Sequence, residues 1–209
     1  MRPPQAFVVT FVAALAAGCS NADRVRAAAD VRPTYDKATG RLTELALDSN
    51  HDGRPDTWTD MDGARPVQTR IDSNGDGKID RWEYYDAAGR LTRVGLSQKD
   101  DGKPDAWAYE GPDGAVARLE ISASSDEKKI TRIEHYEQGV LVAAEEDTNG
   151  DAAIDKWETY RSGALATAAF DEDFDGRADR RLSYEGDSVV TIESRPDAAG
   201  LFRQRVNAR

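Results

Sequence analysis

Residues 72–83 read Asp72-Ser73-Asn74-Gly75-Asp76-Gly77-Lys78-Ile79-Asp80-Arg81-Trp82-Glu83, and most of the chain repeats this pattern. Counted from Asp72, positions 1, 3, 5 and 9 carry carboxylate or amide oxygens, which can converge on one hard cation. Gly77 at position 6 permits a sharp turn, and Lys78 offers its backbone carbonyl at position 7. Glu83 at position 12 is placed to close the coordination shell. The pattern is therefore typical of an oxygen-lined site for a divalent cation.

This stretch resembles the twelve-residue calcium loop of EF-hands and matches that family at every metal position. An EF-hand also has a helix on each side of its loop, and here the flanking sequence differs. The preceding segment contains Pro66 and no 3.6-residue apolar stripe. The following segment runs from aromatic residues to a turn at Gly89 within a few residues. We therefore predict a calcium loop set between β-strands.

The loop pattern returns at a nearly fixed spacing. Loops 1 to 6 begin at Asp48, Asp72, Ser97, Ser122, Asp147 and Asp171, at intervals of 24, 25, 25, 25 and 24 residues. A period of this size indicates a stacked repeat architecture, in which each unit buries its apolar surface against its neighbours.

Each unit contains an aromatic segment, a turn glycine and a segment rich in leucine and valine. The hairpin half, residues 85–91 (Tyr-Asp-Ala-Ala-Gly-Arg-Leu), resembles the core of bacterial YD (RHS-type) repeats, and residues 35–42 are similar with one extra residue. We predict an all-β fold, an antiparallel meander of tandem β-hairpins with about twelve to fourteen strands. The sheet is expected to be elongated or curved, with a closed β-barrel as the alternative.

Pairing across the turn predicts which residues share a face. A three-residue loop at 87–89 places Tyr85 opposite Leu91 and Trp82 opposite Val94. One face would then carry Trp82, Val94 and Leu96. The other face would carry Arg81, Glu83, Arg93 and the Tyr85/Leu91 pair.

All four tryptophans, Trp58, Trp82, Trp107 and Trp157, occupy one repeat position. A row of tryptophans can be a platform on which sugars stack, or the buried core of a sheet with few other large apolar side chains. We favour the core, because large aromatic residues dominate core burial.

Four of the six loops keep the metal pattern, which predicts about four calcium sites. The predicted ligands are Asp48, Asn50, Asp52 and Asp56 in loop 1; Asp72, Asn74, Asp76, Asp80 and Glu83 in loop 2; Asp147, Asn149, Asp151, Asp155 and Glu158 in loop 5; and Asp171, Asp173, Asp175 and Asp179 in loop 6. In loop 5, Ala152 replaces the turn glycine and should strain the backbone. Solvated acidic turns without metal are the alternative, and magnesium fits less well because it prefers rigid octahedral shells.

Loops 3 and 4 have lost the pattern. Lys99 stands at position 3 of loop 3, and loop 4 has serines at positions 1 and 3 followed by Lys128 and Lys129. A lysine side chain at position 3 should exclude a cation, and we expect that its ammonium group replaces the missing ion electrostatically.

Residues 1–19 are predicted to be a signal peptide rather than a structural element, with Arg2 followed by an apolar run too short to span a bilayer. The end of this segment, Leu15-Ala16-Ala17-Gly18-Cys19, resembles the lipobox of bacterial lipoproteins, in which the cysteine is lipidated. This resemblance implies export and a lipid anchor at Cys19, and Ser20 after the cysteine implies the outer membrane. The sequence does not decide between the periplasmic and the surface side of that membrane. An ordinary secretory signal is the alternative. Residues 20–33 are predicted to be a tether and residues 34–209 the calcium-loop repeat domain.

Net charge and the motifs present argue against several classes of function. The net charge of −11 argues against nucleic acid and anionic lipid surfaces as partners. No nucleophile elbow, phosphate loop or zinc spacing occurs, and His51 and His135 are more typical of bystanders than of catalysts. We therefore predict a non-enzymatic envelope lipoprotein whose repeats are ordered by calcium and present a surface to a protein or polysaccharide. A calcium sensor or buffer and a carbohydrate-binding protein or enzyme remain the alternatives.

Overall fold

A computed structural model describes residues 30–208 and shows fifteen β-strands. The strands are β1 (Val31–Tyr35), β2 (Leu42–Leu47), β3 (Thr57–Asp62), β4 (Arg65–Ile71), β5 (Arg81–Tyr85), β6 (Leu91–Leu96), β7 (Ala106–Glu110), β8 (Val116–Ile121), β9 (Arg132–Glu137), β10 (Val140–Glu146), β11 (Lys156–Arg161), β12 (Ala164–Phe170), β13 (Arg180–Glu185), β14 (Ser188–Pro196) and β15 (Phe202–Asn207). Within these residues there is no helix, and so none long and apolar enough to cross a bilayer.

The strands form one antiparallel sheet in sequence order, from β1 at one edge to β15 at the other. The two edge strands do not pair with each other, so the sheet is an open meander and not a barrel. The predicted all-β meander of hairpins is confirmed, with fifteen strands where twelve to fourteen were expected. The additional strand, β15, follows a turn at residues 197–201 that has no metal loop.

A β-bulge near the turn corrects the predicted register. Tyr85 pairs with Leu91 as expected, but Tyr84 pairs with Arg93, so one residue of β6 is left over. Bulges occur at the same place in every hairpin from β1–β2 to β13–β14. Because side chains alternate with a period of two, one extra residue moves every later side chain to the opposite face. Trp82 therefore pairs with Gly95 and not with Val94.

The corrected register defines two faces. Face A carries Glu83, Val94 and, one strand further on, Ala108; face B carries Trp82 and Trp107. The predicted faces were therefore wrong for three residues of β6: Val94 and Leu96 lie on face A, and Arg93 lies on face B.

The apolar core is concentrated near the middle of the sheet. On face A, a cluster of Val94, Ala106, Ala108 and Leu119 is buried. On face B, Trp82 is 8% exposed and Trp107 2% exposed. Among the described residues, every buried hydrophobic side chain larger than alanine lies between residues 82 and 119.

The predicted domain boundary needs a correction. Residues 31–33, assigned to the tether, form the start of strand β1. Pro33 is compatible with that strand because β1 is an edge, where a missing N–H group leaves no ladder hydrogen bond unmade on the open side. The predicted signal peptide, Cys19 and the tether up to residue 29 lie outside the described residues.

Candidate metal-binding loops

The six acidic loops lie at one end of the strands, which we call the loop end. Each loop joins an even-numbered strand to the next odd-numbered strand, and the tight turns from odd-numbered to even-numbered strands lie at the opposite end. The turn at residues 197–201, between β14 and β15, is the one tight turn of the described residues at the loop end. Neighbouring loops are linked through the backbone. The position-1 amide of one loop donates to the position-9 carbonyl of the loop before it, as from Asp72 to Asp56 and from Asp171 to Asp155, both at 2.8 Å, except that Asp147 donates to Thr131 at position 10 of loop 4.

Loop 2 shows how the loop backbone is held. The two carboxylate oxygens of Asp72 accept hydrogen bonds from the amides of Gly75 and Gly77, at 2.8 and 2.9 Å. One oxygen of Asp80 accepts from the amide and the hydroxyl of Ser73, at 2.7 and 2.6 Å. Position 1 therefore caps the middle of the loop, while position 9 caps its start.

The backbone turns through the left-handed region at positions 4 and 6 of the metal-pattern loops. In loop 2 these positions are Gly75, with φ 75°, and Gly77, with φ 89°. Ala152 takes the same conformation, with φ 72°, so the strain expected at position 6 of loop 5 is present. Its amide still donates to Asp147 at 2.9 Å, which shows that the loop geometry is retained.

Loops 3 and 4 show how few acids the turn requires. At position 1, Ser97 and Ser122 accept hydrogen bonds through their hydroxyl oxygens, from the amides of Asp101 and Asp126 at 3.2 and 3.1 Å. Asp105, 2% exposed, keeps the position-9 role in loop 3. A turn therefore forms without a charge at position 1, although each serine holds one loop amide where a position-1 aspartate holds two.

Loop 6 brings three carboxylates together. One oxygen each from Asp171, Asp173 and Asp179 lies within 4.8 Å of the others. Calcium binds oxygens at about 2.3 to 2.6 Å, so oxygens on opposite sides of one ion stand about 5 Å apart. Desolvation and the charges of Asp179, Asp175 and Asp171 raise the pKa of Asp173 above its ordinary value. The spacing fits a single ion, and the raised pKa of Asp173 reflects desolvation and the repulsion between the carboxylates.

In loops 1, 2 and 5 an asparagine replaces the position-3 carboxylate. Asn50, Asn74 and Asn149 each accept, through the amide oxygen, a hydrogen bond from the backbone amide two residues later, at 2.8 to 2.9 Å. The loop backbone therefore places the position-3 oxygens in the same way in these three loops. Because the amide oxygen is neutral, each of these sites offers one negative charge fewer than loop 6.

The two predicted position-12 ligands lie on face A and are engaged along their strands. Arg81 binds one oxygen of Glu83 at 2.8 Å, and the hydroxyl of Tyr85 donates to the other at 2.6 Å. Glu158 binds Lys156 at 2.8 Å and accepts a hydrogen bond from Tyr160 at 2.8 Å. Both glutamates would have to break these contacts to reach an ion.

A third copy of this arrangement explains the glutamates without a metal. Glu134 binds Arg132 at 2.8 Å and accepts from Tyr136 at 2.6 Å, next to loop 4, which has lost the metal pattern. We call these three arrangements the strand triads. Their sequence signal is a cation, a glutamate and a tyrosine at alternate positions, and the loop pattern alone does not reveal it.

The third strand triad is linked to the neighbouring one. The Arg132 guanidinium also reaches Glu158, at 3.0 Å. Burial raises the pKa of Glu158, but hydrogen bonds from Lys156 and Tyr160 and the charges of Lys156 and Arg132 outweigh burial and hold it below its ordinary value. Glu158 is therefore a carboxylate held by its strand neighbours.

The four tryptophans of the row are not equally buried. Trp82 and Trp107 are buried, as expected for a core, while Trp58 and Trp157 are half-buried. A sugar needs exposed ring faces, so the row does not form a continuous stacking platform. His51 and His135 each contact one carboxylate, at 3.1 and 3.6 Å; His51 is exposed and His135 is half-buried.

Comparison with known proteins gives no family. No protein-family model matches the chain, and no curated protein matches it. A solved structure titled "Crystal structure of accessory secretory protein 1,2 and 3 in Streptococcus pneumoniae" is similar at 11% identity with a TM-score of 0.26. The alignment covers 69% of this chain but only 19% of that one. So low a TM-score carries no argument about fold or function.

Proposed function

We propose that this chain is a non-enzymatic, calcium-binding lipoprotein of the bacterial envelope, in which ions in loops 1, 2, 5 and 6 order the loop end of the sheet. The observation that carries the proposal is the convergence of Asp171, Asp173 and Asp179 within 4.8 Å. The ligand set in each loop would be the oxygens at positions 1, 3, 5 and 9 and the backbone carbonyl at position 7. Glu83 and Glu158 are left to their strand triads.

The contrast between the two kinds of loop supports an ion rather than a solvated turn. Ser97 and Ser122 each hold one loop amide with no charge, whereas each position-1 aspartate holds two, so a turn can form in this place without the full negative charge that loops 1, 2, 5 and 6 carry. Loops 1, 2, 5 and 6 together place thirteen aspartates at positions 1, 3, 5 and 9. Carboxylates held this close repel one another unless a cation compensates them.

The expected calcium affinity and its contribution to stability suit a structural role for the ion. Extracellular calcium modules bind with dissociation constants of about 10⁻⁴ to 10⁻³ M. A site of about 10⁻⁴ M adds about 1.4 kcal/mol to the free energy of unfolding at about 1 mM free calcium. Four such sites would contribute about 6 kcal/mol, a large part of the typical net stability of about 5 to 15 kcal/mol.

Calorimetric titration tests the proposal. We expect the wild-type protein to bind about four calcium ions, one for each loop with the complete pattern. The double change Asp72→Ser and Asn74→Lys gives loop 2 the residues of loop 3 at positions 1 and 3, and should remove one ion while the turn still forms. The control is Asp113→Asn, in an acidic turn at the opposite end whose carboxylate accepts the Ala115 amide. A wild-type protein that binds no calcium at about 1 mM would contradict the proposal.

The proposal for location rests on the sequence of the first twenty residues. A lipid on Cys19 would anchor the protein in the outer membrane, and the sheet would present its surface to an envelope protein or a polysaccharide. Labelled palmitate should enter the wild-type protein in bacterial cells, and Cys19→Ser should abolish the label. Labelling that survives the substitution would contradict a lipid anchor at Cys19.

A further inference from the structure

Each loop that has lost the metal pattern receives an ammonium group from the loop before it. The Nζ atom of Lys78, in loop 2, donates to the carbonyl of Asp100 in loop 3 at 2.7 Å. The Nζ atom of Lys99, in loop 3, donates to the carbonyl of Ala123 in loop 4 at 2.5 Å and lies 3.4 Å from the hydroxyl of Ser125. Lys99 therefore acts on the next loop, whereas the sequence had suggested that it acts within its own.

These contacts bind neighbouring loops without an ion. A lysine ammonium offers three donors and a positive charge, which matches carbonyl and hydroxyl oxygens turned toward one point. Lys99 also lies 4.0 Å from the buried carboxylate of Asp105, so its charge is partly balanced within loop 3. Loops 3 and 4 are thus held by a cation that belongs to the chain.

The same part of the sheet contains the apolar core. Residues 81–137, which we call the central segment, comprise β5 to β9 with loops 3 and 4. The cluster of Val94, Ala106, Ala108 and Leu119 lies within it, together with both buried tryptophans. Outside it, the buried hydrophobic residues of the described chain are alanines. The units that lack the metal pattern are therefore those with the most buried apolar surface.

We propose that the protein responds to calcium in parts: the central segment stays folded without the ion, while the strands and loops outside residues 81–137, with loops 1, 5 and 6 and loop 2 up to Asp80, lose order when calcium dissociates. The inference rests on the proposed function for the flanking units. In stacked repeats, stability is nearly a sum of unit and neighbour contributions, so one part can open while another remains closed. Loss of calcium would then expose the strands on both sides of a persistent centre.

Hydrogen exchange of the full chain, in 1 mM calcium and in chelator, tests the inference. Amides of β2–β3 and of β11–β13 should lose protection about tenfold for each ion removed, because occupancy at ten times the dissociation constant shifts a local equilibrium by that factor. Amides of β6–β8 should change less than about twofold.

Two variants measure the contribution of the Lys99 ammonium group. Lys99→Met keeps the apolar stem but removes the charge, and should lower the protection of the centre about fivefold with and without calcium.

Lys103→Met is the matched control, since the Lys103 ammonium makes no hydrogen bond or ion pair among residues 30–208, and it should leave exchange unchanged. Loss of central protection in chelator as large as that of the flanks would overturn the inference. So would a Lys99→Met effect no larger than that of Lys103→Met. If no region responds to calcium but Lys99→Met still loosens the centre, the proposed calcium function fails while the role of the ammonium stands.

Discussion

Loop 3 of the central segment and loop 6 of the flanking units turn through the left-handed region at the same two positions but are held by different chemistry. Loop 3 holds its turn with the Ser97 hydroxyl and receives the Lys78 ammonium, whereas loop 6 places charged Asp171 at position 1 and adds Asp173. The strands of the two regions differ in burial as well: large apolar side chains are buried in the central segment and half-buried in the flanking units. The difference teaches that a repeat unit can lose an ion site where lysine contacts and apolar burial stabilise it.

Equivalent positions show the difference most directly. Leu119 on β8 and Leu182 on β13 occupy the same row of face A, yet Leu119 is 6% exposed and Leu182 is half-buried. Trp107 and Trp157 share one row of face B, with the same inequality. Position in the sheet, rather than residue type, therefore sets how much apolar surface is removed from water.

The largest expected effect comes from truncating this pair of leucines. Leu119→Ala should lower the free energy of unfolding by about 3 kcal/mol, because it opens a cavity in the buried cluster. Leu182→Ala should cost about half as much, since its side chain is only partly removed from water in the folded state. Urea denaturation at saturating calcium measures both. Equal losses at the two positions would break the distinction between centre and flank.

A smaller effect should follow from rebuilding an ion site in the centre. The changes Ser97→Asp and Lys99→Asn give loop 3 the complete pattern, with Asp101, Gly102 and Asp105 already in place. The variant should bind one more calcium ion than the wild type and gain about 1.4 kcal/mol at ten times the dissociation constant. In chelator it should be less stable, because it gains a carboxylate and loses an ammonium.

The neutral pair Ser97→Asn and Lys99→Asn provides the control for that experiment. It removes the same lysine but adds no carboxylate, so its calcium stoichiometry should equal that of the wild type. Calorimetry of the three proteins separates the contribution of the new ligand from that of the lost lysine. An unchanged stoichiometry in the variant with Ser97→Asp would show that the loop pattern alone does not make a site.

Local chemistry made most of the fold predictable. The turn residues act through contacts that lie within a few residues, as when Asp86 accepts the amides of Ala88 and Arg90 at 2.8 and 2.9 Å. The loops likewise close through their own amides, as with Asp72 and Gly77. Because contacts of this kind recur along the chain, the strand positions and the meander of hairpins follow from spacing, apart from the start of β1. The spacing left open whether the sheet closes into a barrel, and the structure shows that it does not.

The face assignment and the position-12 ligands could not be predicted in the same way. A bulge at Thr92 places one extra residue on β6, and no spacing rule applied to the turn reveals it. The bulged Thr92 hydroxyl donates to the Tyr84 carbonyl at 3.0 Å, a contact made across the strand pair. Glu83 stands at position 12 of an ion loop, yet Arg81 and Tyr85 on its own strand hold its carboxylate.

The sequence by itself determined the repeat, the strands, the acidic loops and the residues with oxygen atoms to offer an ion, because all of these depend on groups close together along the chain. Only the tertiary structure decided which face each side chain occupies, that Lys99 serves the loop after its own, and that the apolar core lies under the loops without the metal pattern. These three depend on how neighbouring strands are aligned. One additional residue in a bulge changes that alignment while leaving the spacing of the motifs unaltered.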